Sequence, residues 1–217
     1  MSIDRESLSR AIAVRGPVIR VVVADVAGSA PREAGTAMLV WAGGQDGTIG
    51  GGALEYEAAA LARAMLAAGR TARLDRMPLG PALNQCCGGA VTILSERWDE
   101  DRLAGIAGQD IVARPLPGTG GGMPMAVARI LKRARGEGFA PSARIVQGWF
   151  VEPVAKAARD LWIWGAGHVG RAIVDVMRPL PGFRLTWADT EASRFPPLPE
   201  GVAQRIAANP ADLVPEA

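Results

Sequence analysis

The run Leu161-Trp162-Ile163-Trp164 leads without a break into Gly165-Ala166-Gly167-His168-Val169-Gly170. An apolar strand entering G-x-G-x-x-G, with Val169, Ile173, Val176 and Met177 following at helical spacing, commits this stretch to a strand, a glycine turn and a helix. The first glycine permits the tight turn. The second lets a pyrophosphate approach the backbone, and the third lets the helix pack close on the strand. A further strand, Arg184 to Ala188, ends in Asp189, 19 residues beyond Gly170, where an acid can bond a ribose 2′-hydroxyl. Gly165, Gly167, His168, Gly170 and Asp189 are thus the candidate residues for NAD(P). His168 opens the helix, where packing or a phosphate-facing role suits it better than catalysis. The competing reading is a glycine-rich turn with no ligand. Only 47 residues follow Gly170, enough for about one half of a doubly wound sheet, so a partial Rossmann-like module is expected over 144–217.

The first half predicts a different module, mixed α/β, over 1–98. Asp4 is a candidate N-cap for a helix to Val14, and Gly16-Pro17 ends it. Val18 to Val26 and Met38 to Trp41 read as strands, the second followed by a turn at Gly43-Gly44. Leu54, Ala58, Leu61 and Met65 mark one face of a helix from Ala53 to Ala68, stopped by Gly69. Val91 to Ser95 is another short strand. Residues 99–143 read as a connector with one short basic helix, Pro124 to Arg135, and Ile145 to Val151 resumes strand character. The stretch from Phe195 onward carries five prolines and reads as loop.

Between these elements lie three unusual segments. They are Gly28-Ser-Ala-Pro-Arg-Glu-Ala-Gly35, Gly47-Thr-Ile-Gly-Gly-Gly-Ala-Leu-Glu55 and Gln85-Cys-Cys-Gly-Gly89. Gly50, Gly51 and Gly52 meet a helix N-terminus, and exposed N–H groups there favour anions. Arg32 can add a bidentate phosphate contact. Gly88 beside Cys86 and Cys87 allows close approach to two thiols, which suit a soft metal or a sulfur transfer. The plain alternatives are ordinary turns and small buried cysteines. Adjacent cysteines close almost no loop and staple nothing, although a strained vicinal disulfide is open to them.

Composition narrows the classes. The net charge is +2, with Lys132 and Lys156 the only lysines and the arginines scattered, which disfavours a nucleic-acid track. A single histidine rules out a two-histidine zinc site. The opening residues have no apolar core and no run of about 18 apolar residues exists. A cytoplasmic protein with reduced thiols and no membrane span is expected.

The ordered motifs GSAPREAG, GTIGGGALE and QCCGG, ahead of GAGHVG, resemble the xanthine dehydrogenase accessory protein family, the XdhC/CoxI family. The resemblance covers roughly residues 10 to 95 and 145 to 213, and GWFVEPV resembles that family's approach to its nucleotide-binding domain. The family's C-terminal domain continues with further strands and a Thr-His segment that this sequence does not show. The resemblance implies a chaperone for molybdenum cofactor (molybdopterin) rather than an enzyme. Such a protein supports sulfuration of the cofactor with a cysteine desulfurase and its insertion into a xanthine dehydrogenase-type molybdenum hydroxylase, with a homodimer also expected. On this reading Arg32 and Gly50–Gly52 hold the pterin phosphate, Cys86 or Cys87 sits near the molybdenum or passes sulfur to it, and Gln85 and Gly88 also bind the cofactor. Cys86 and Cys87 are the candidate metal ligands. Glu55 either bonds the pterin amide edge or is a solvated first-turn acid. Two other readings remain: an NAD(P)-dependent oxidoreductase working through GAGHVG, and a truncated remnant that at most binds a partner.

Overall fold

Asp4 caps the first helix as the sequence predicts. Its carboxylate accepts the Ser7 amide at 3.0 Å and the Ser7 hydroxyl at 2.6 Å, and α1 runs Arg5–Arg15. The structure, a computed structural model, describes residues 2–80, 88–155, 159–180 and 182–216. They fall into two units, 1–155 and 156–217.

In the first unit β1 (Val18–Ala27) is the central strand of a five-stranded antiparallel sheet. Its neighbours are β2 (Ala37–Trp41) with β3 (Gly44–Gly47) on one side, and β5 (Ala90–Trp98) with β4 (Ala72–Pro78) on the other. Strand alternation sends Ile19, Val21 and Val23 to one face and Val18, Arg20, Val22 and Ala24 to the other. The first face is covered by α2 (Gly52–Ala67), which buries Leu54, Ala58, Ala59, Ala62 and Met65 against it. The alanines let the helix axis approach the sheet closely, and Leu54 and Met65 supply about 1.5–3 kcal/mol each by burial.

The second face packs on another sheet, made by the stretch that the sequence reads as a connector. Residues 99–143 hold α3 (Glu100–Gly105), β6 (Ile111–Pro115) and α4 (Met125–Glu137). β7 (Arg144–Val146) and β8 (Trp149–Pro153) turn at Gln147-Gly148 and join β6 in the order β6-β8-β7. Residues 144–155 therefore belong to the first unit, not to a module starting at 144. Backbone pairing with β6 and the buried Phe150 and Val151 tie them there. Phe150, Leu116 and Ala143 meet Val22, Ala24 and Leu94, while Val112 and Val154 meet Val18, Trp98 and the α1 residues Leu8 and Ile12. α4 covers the outer face of the small sheet through Val127.

Between these two apolar clusters lies a layer of charge. Arg20 pairs bidentately with Glu152 at 2.8 Å for both bonds, and Arg114 bridges Glu152 at 2.5 Å and Glu96 at 2.5–2.8 Å. Arg102 closes on Glu96 from α3.

In the second unit β9 (Arg159–Trp164), β10 (Phe183–Asp189) and β11 (Val202–Ile206) form a parallel sheet in the order β11-β10-β9, with α5 (His168–Met177) joining β9 to β10. The proline-rich tail expected to be loop thus supplies a strand, because Val202 is buried with Ile163, Val174, Leu185 and Trp187 in one core. The unit thus has one β-α-β crossover, through α5, followed by a third parallel strand reached from β10 without an α-helix. Among the described residues no helix is long and apolar enough to cross a membrane.

Candidate functional site

The first two glycine segments and Gly88-Gly89 of the third, far apart in sequence, meet at one end of the five-stranded sheet. The first runs from the end of β1 to the start of β2. The second joins β3 to α2, and Gly88-Gly89 enters β5. Gly89 is wedged so tightly that a Cβ there would collide with the carbonyl oxygens of Ala27 and Ser29. Its own carbonyl accepts the Leu79 amide at 2.8 Å. A Cβ at Gly28 would lie 3.2 Å from Gly89 Cα, so the first and third segments touch backbone to backbone. Pro31 joins the first to the second, since its Cγ would lie 2.7 Å from a Cβ at Gly50, whose φ is +131°. A bulge in β1 helps this meeting: Val23 faces Ile93 but Asp25 faces Thr92, which leaves one residue extra beside the loops.

Arg32 is exposed on the first loop and has no ion pair among the described residues. Glu55 lies at the start of α2, where Oε2 accepts from the Thr48 hydroxyl at 2.5 Å, Ile49 N at 3.2 Å and Gly51 N at 3.1 Å. Oε1 accepts from Gln45 Nε2 at 3.1 Å. Gly50 N donates to the Thr48 hydroxyl at 3.1 Å. Both readings offered for Glu55, a ligand contact or a solvated acid, leave out these contacts. Gln45 and Thr48 were not legible as site residues, because their roles come from folding β3 back toward α2. Gln85, Cys86 and Cys87 lie outside the described residues. Gly88, next in the chain, is anchored at the cluster through Gly89. Among the described residues no three His, Cys, Asp or Glu side chains gather into a metal-binding group.

In the second unit the fingerprint takes the expected shape. A Cβ at Gly170 would strike the carbonyl oxygen of Gly165, which also accepts Trp187 Nε1 at 3.0 Å. Gly167 has open space where its side chain would be, and His168 is exposed as the first helical residue. Asp189 is only 6% exposed, and its carboxylate is already engaged. Oδ2 accepts Ala166 N at 2.6 Å, and Oδ1 accepts Thr190 N at 2.5 Å and the Thr190 hydroxyl at 3.1 Å. The Ala166 hydrogen bond, with the Thr190 bonds and nearby Arg194, outweighs burial and holds this carboxyl below its ordinary value. Arg171 fixes the same turn through the carbonyls of Ala166 and Arg194, both at 2.9 Å. Asp189 is a brace for the turn, with little surface left for a ribose.

Residues 11–76 match the XdhC and CoxI family. No curated protein matches the chain. A crystal structure of a xanthine dehydrogenase from Bacillus halodurans superposes with a TM-score of 0.69 at 20% identity, over 99% of this chain and 70% of that one. At that identity the likeness speaks for the α/β fold alone. The matched segment contains the first two glycine loops and the helix they lead into, and over these residues the chain is similar to the XdhC and CoxI family.

Proposed function

We propose that this protein is a maturation factor for a xanthine dehydrogenase-type molybdenum hydroxylase. It binds molybdenum cofactor at the junction of the three glycine loops, supports its sulfuration together with a cysteine desulfurase, and hands it to the hydroxylase. The observation that carries this reading is the convergence of the first two motifs with Gly88-Gly89 of the third on one sheet end, Gly89 being locked against Ala27 and Ser29. Backbone contact of this kind holds the loops against a rigid sheet, the usual setting of binding residues. Arg32, exposed and uncommitted, suits the pterin phosphate. Cys86 and Cys87 are the thiols assigned to the molybdenum or to sulfur transfer.

The fingerprint supports a second, subordinate reading, in which the turn at Gly165–Gly170 binds NAD(P). The open space at Gly167 favours it. The engaged Asp189 weighs against an oxidoreductase.

The test is the molybdenum and oxidised-pterin content of protein purified anaerobically from cells that make the cofactor. Near-stoichiometric pterin is expected. A Cys86→Ala, Cys87→Ala double variant is expected to lose it while keeping the fold, and unchanged occupancy would remove the thiols from the mechanism. Gly167→Val is expected to leave pterin content unaltered, because it fills the dinucleotide turn only.

A further inference from the structure

We infer that Glu55 is the anion around which the turn from Thr48 to Gly52 is built: a positioning residue that sets the second loop before any ligand arrives. A glycine-rich turn ahead of a helix gathers N–H groups that attract negative charge. Here Glu55 Oε2 already takes Ile49 N, Gly51 N and the Thr48 hydroxyl, while the amide between them, Gly50 N, goes to that same hydroxyl. The three successive amides are consumed inside the protein. The arrangement extends outward, because Gln45 donates to Glu55 Oε1 at 3.1 Å and accepts from Arg63 Nη2 at 3.3 Å. A polar chain thus ties β3, the turn and the middle of α2 together. Through the Pro31–Gly50 contact it also fixes the neighbouring loop.

This assignment changes what the loop offers a ligand. A phosphate cannot use the amides of Ile49 and Gly51 while Glu55 holds them, and beside that carboxylate it meets like charge. The role of Gly50 and Gly51 becomes shape, and the anionic end of a ligand is left to Arg32 on the adjoining loop. Only that last step rests on the cofactor reading above; the positioning role of Glu55 does not.

Hydrogen–deuterium exchange on the full chain, read on a peptide spanning 45–56, tests it. Glu55→Ala leaves the hydroxyl and two amides without their acceptor, so exchange at 49–51 is expected to rise about tenfold or more, with peptides from β1 and β5 unchanged. Glu55→Gln retains a carbonyl acceptor and is expected to fall between the two. Acetate, a small carboxylate, is expected to restore protection to the Ala variant where chloride at equal ionic strength does not. Exchange at 49–51 equal to that of the unaltered protein would overturn the inference. So would an equal rise in β1 and β5, or an acetate effect no greater than that of chloride. Pterin content, measured on the same samples, reports separately: a wild-type chain without pterin would sink the cofactor reading and leave the exchange result standing.

Discussion

Arg20, Glu96, Arg114 and Glu152 occupy strand positions that alternation assigns to the space between two sheets, and all four are at most 9% exposed. Three arginines, counting Arg102, face two carboxylates, so the pairing is unequal and Arg114 Nη1 has no partner among the described residues. Such a layer depends on every member. Removing one partner of a buried pair leaves its mate charged and unsolvated, so Glu152→Ala is expected to cost about 3–5 kcal/mol in urea denaturation. Arg133→Ala, which breaks an exposed pair with Glu137 on α4, is expected to cost about 0–1 kcal/mol. The layer also sets an acid limit. Burial alone would raise the Glu96 carboxyl, but the charges and hydrogen bonds of Arg114, with Arg102 and Arg20, bring it below its ordinary value. A carboxyl lowered in the folded state binds fewer protons there than in the unfolded chain. Its contribution is therefore complete above about pH 5 and fades as pH falls through the lower, folded-state value. Urea midpoints measured from pH 7 down to pH 3 are expected to fall on the acid side, and Glu96→Gln is expected to flatten that fall while lowering the midpoint at pH 7. None of this was legible in the sequence. Arg20 within Val-Ile-Arg-Val-Val-Val looks like an interruption of an apolar run, and its partner is 132 residues away.

At the scale of elements, local pattern served well where one element decided its own fate. α1, β1 and α2 were legible to within about two residues, because a cap, a β-branched run and an apolar stripe are written in contiguous residues. The misses differ in kind. Ile145 to Val151, read as one stretch of strand, is two strands split at Gln147-Gly148, and β3 and the seven-residue β4 were not read as strands. β6 and β11 are five residues long and lie among glycines and prolines, so their strand character comes from partners rather than from propensity. The candidate site was legible in its motifs and not in its geometry, since nothing in GSAPREAG or QCCGG says that Gly89 will sit on Ala27 and Ser29. Two substitutions separate these levels. Leu54→Ala removes the largest side chain at the start of the α2 stripe and is expected to cost about 2–5 kcal/mol of global stability, read by thermal or urea unfolding. Gly170→Ala drives a methyl into the Gly165 carbonyl, which is backbone and cannot step aside. It is expected to disturb the second unit alone, visible as a displaced or lost indole N–H resonance of Trp187 with the β1 and β5 amides unchanged.

For the whole chain, the two units differ in how their sheets are finished. The first stacks α2, a five-stranded sheet, a three-stranded sheet and α4, so β1 is covered on both faces and paired on both edges. The second has a three-stranded parallel sheet with α5 packed on one face. β9 is paired only with β10 among the described strands, and Trp164, on the face away from α5, is 42% exposed. Parallel sheets are normally buried on both faces, because each strand depends on cover from above and below. A domain of this size also buries a smaller share of its surface than a larger one. The free energy of opening is therefore expected to divide along the unit boundary. In native-state hydrogen exchange on the full chain, the amides of β9, β10 and β11 should open at a free energy below that of β1 and β5, in one cooperative step. Glu152→Ala should lower the opening free energy of β1 and β5 and leave that of β9–β11 in place, since its buried charge layer lies within the first unit. A single opening free energy shared by both sets of strands, shifted together by that substitution, would mean the units fold as one body, and the division at 155 would then be one of contacts alone.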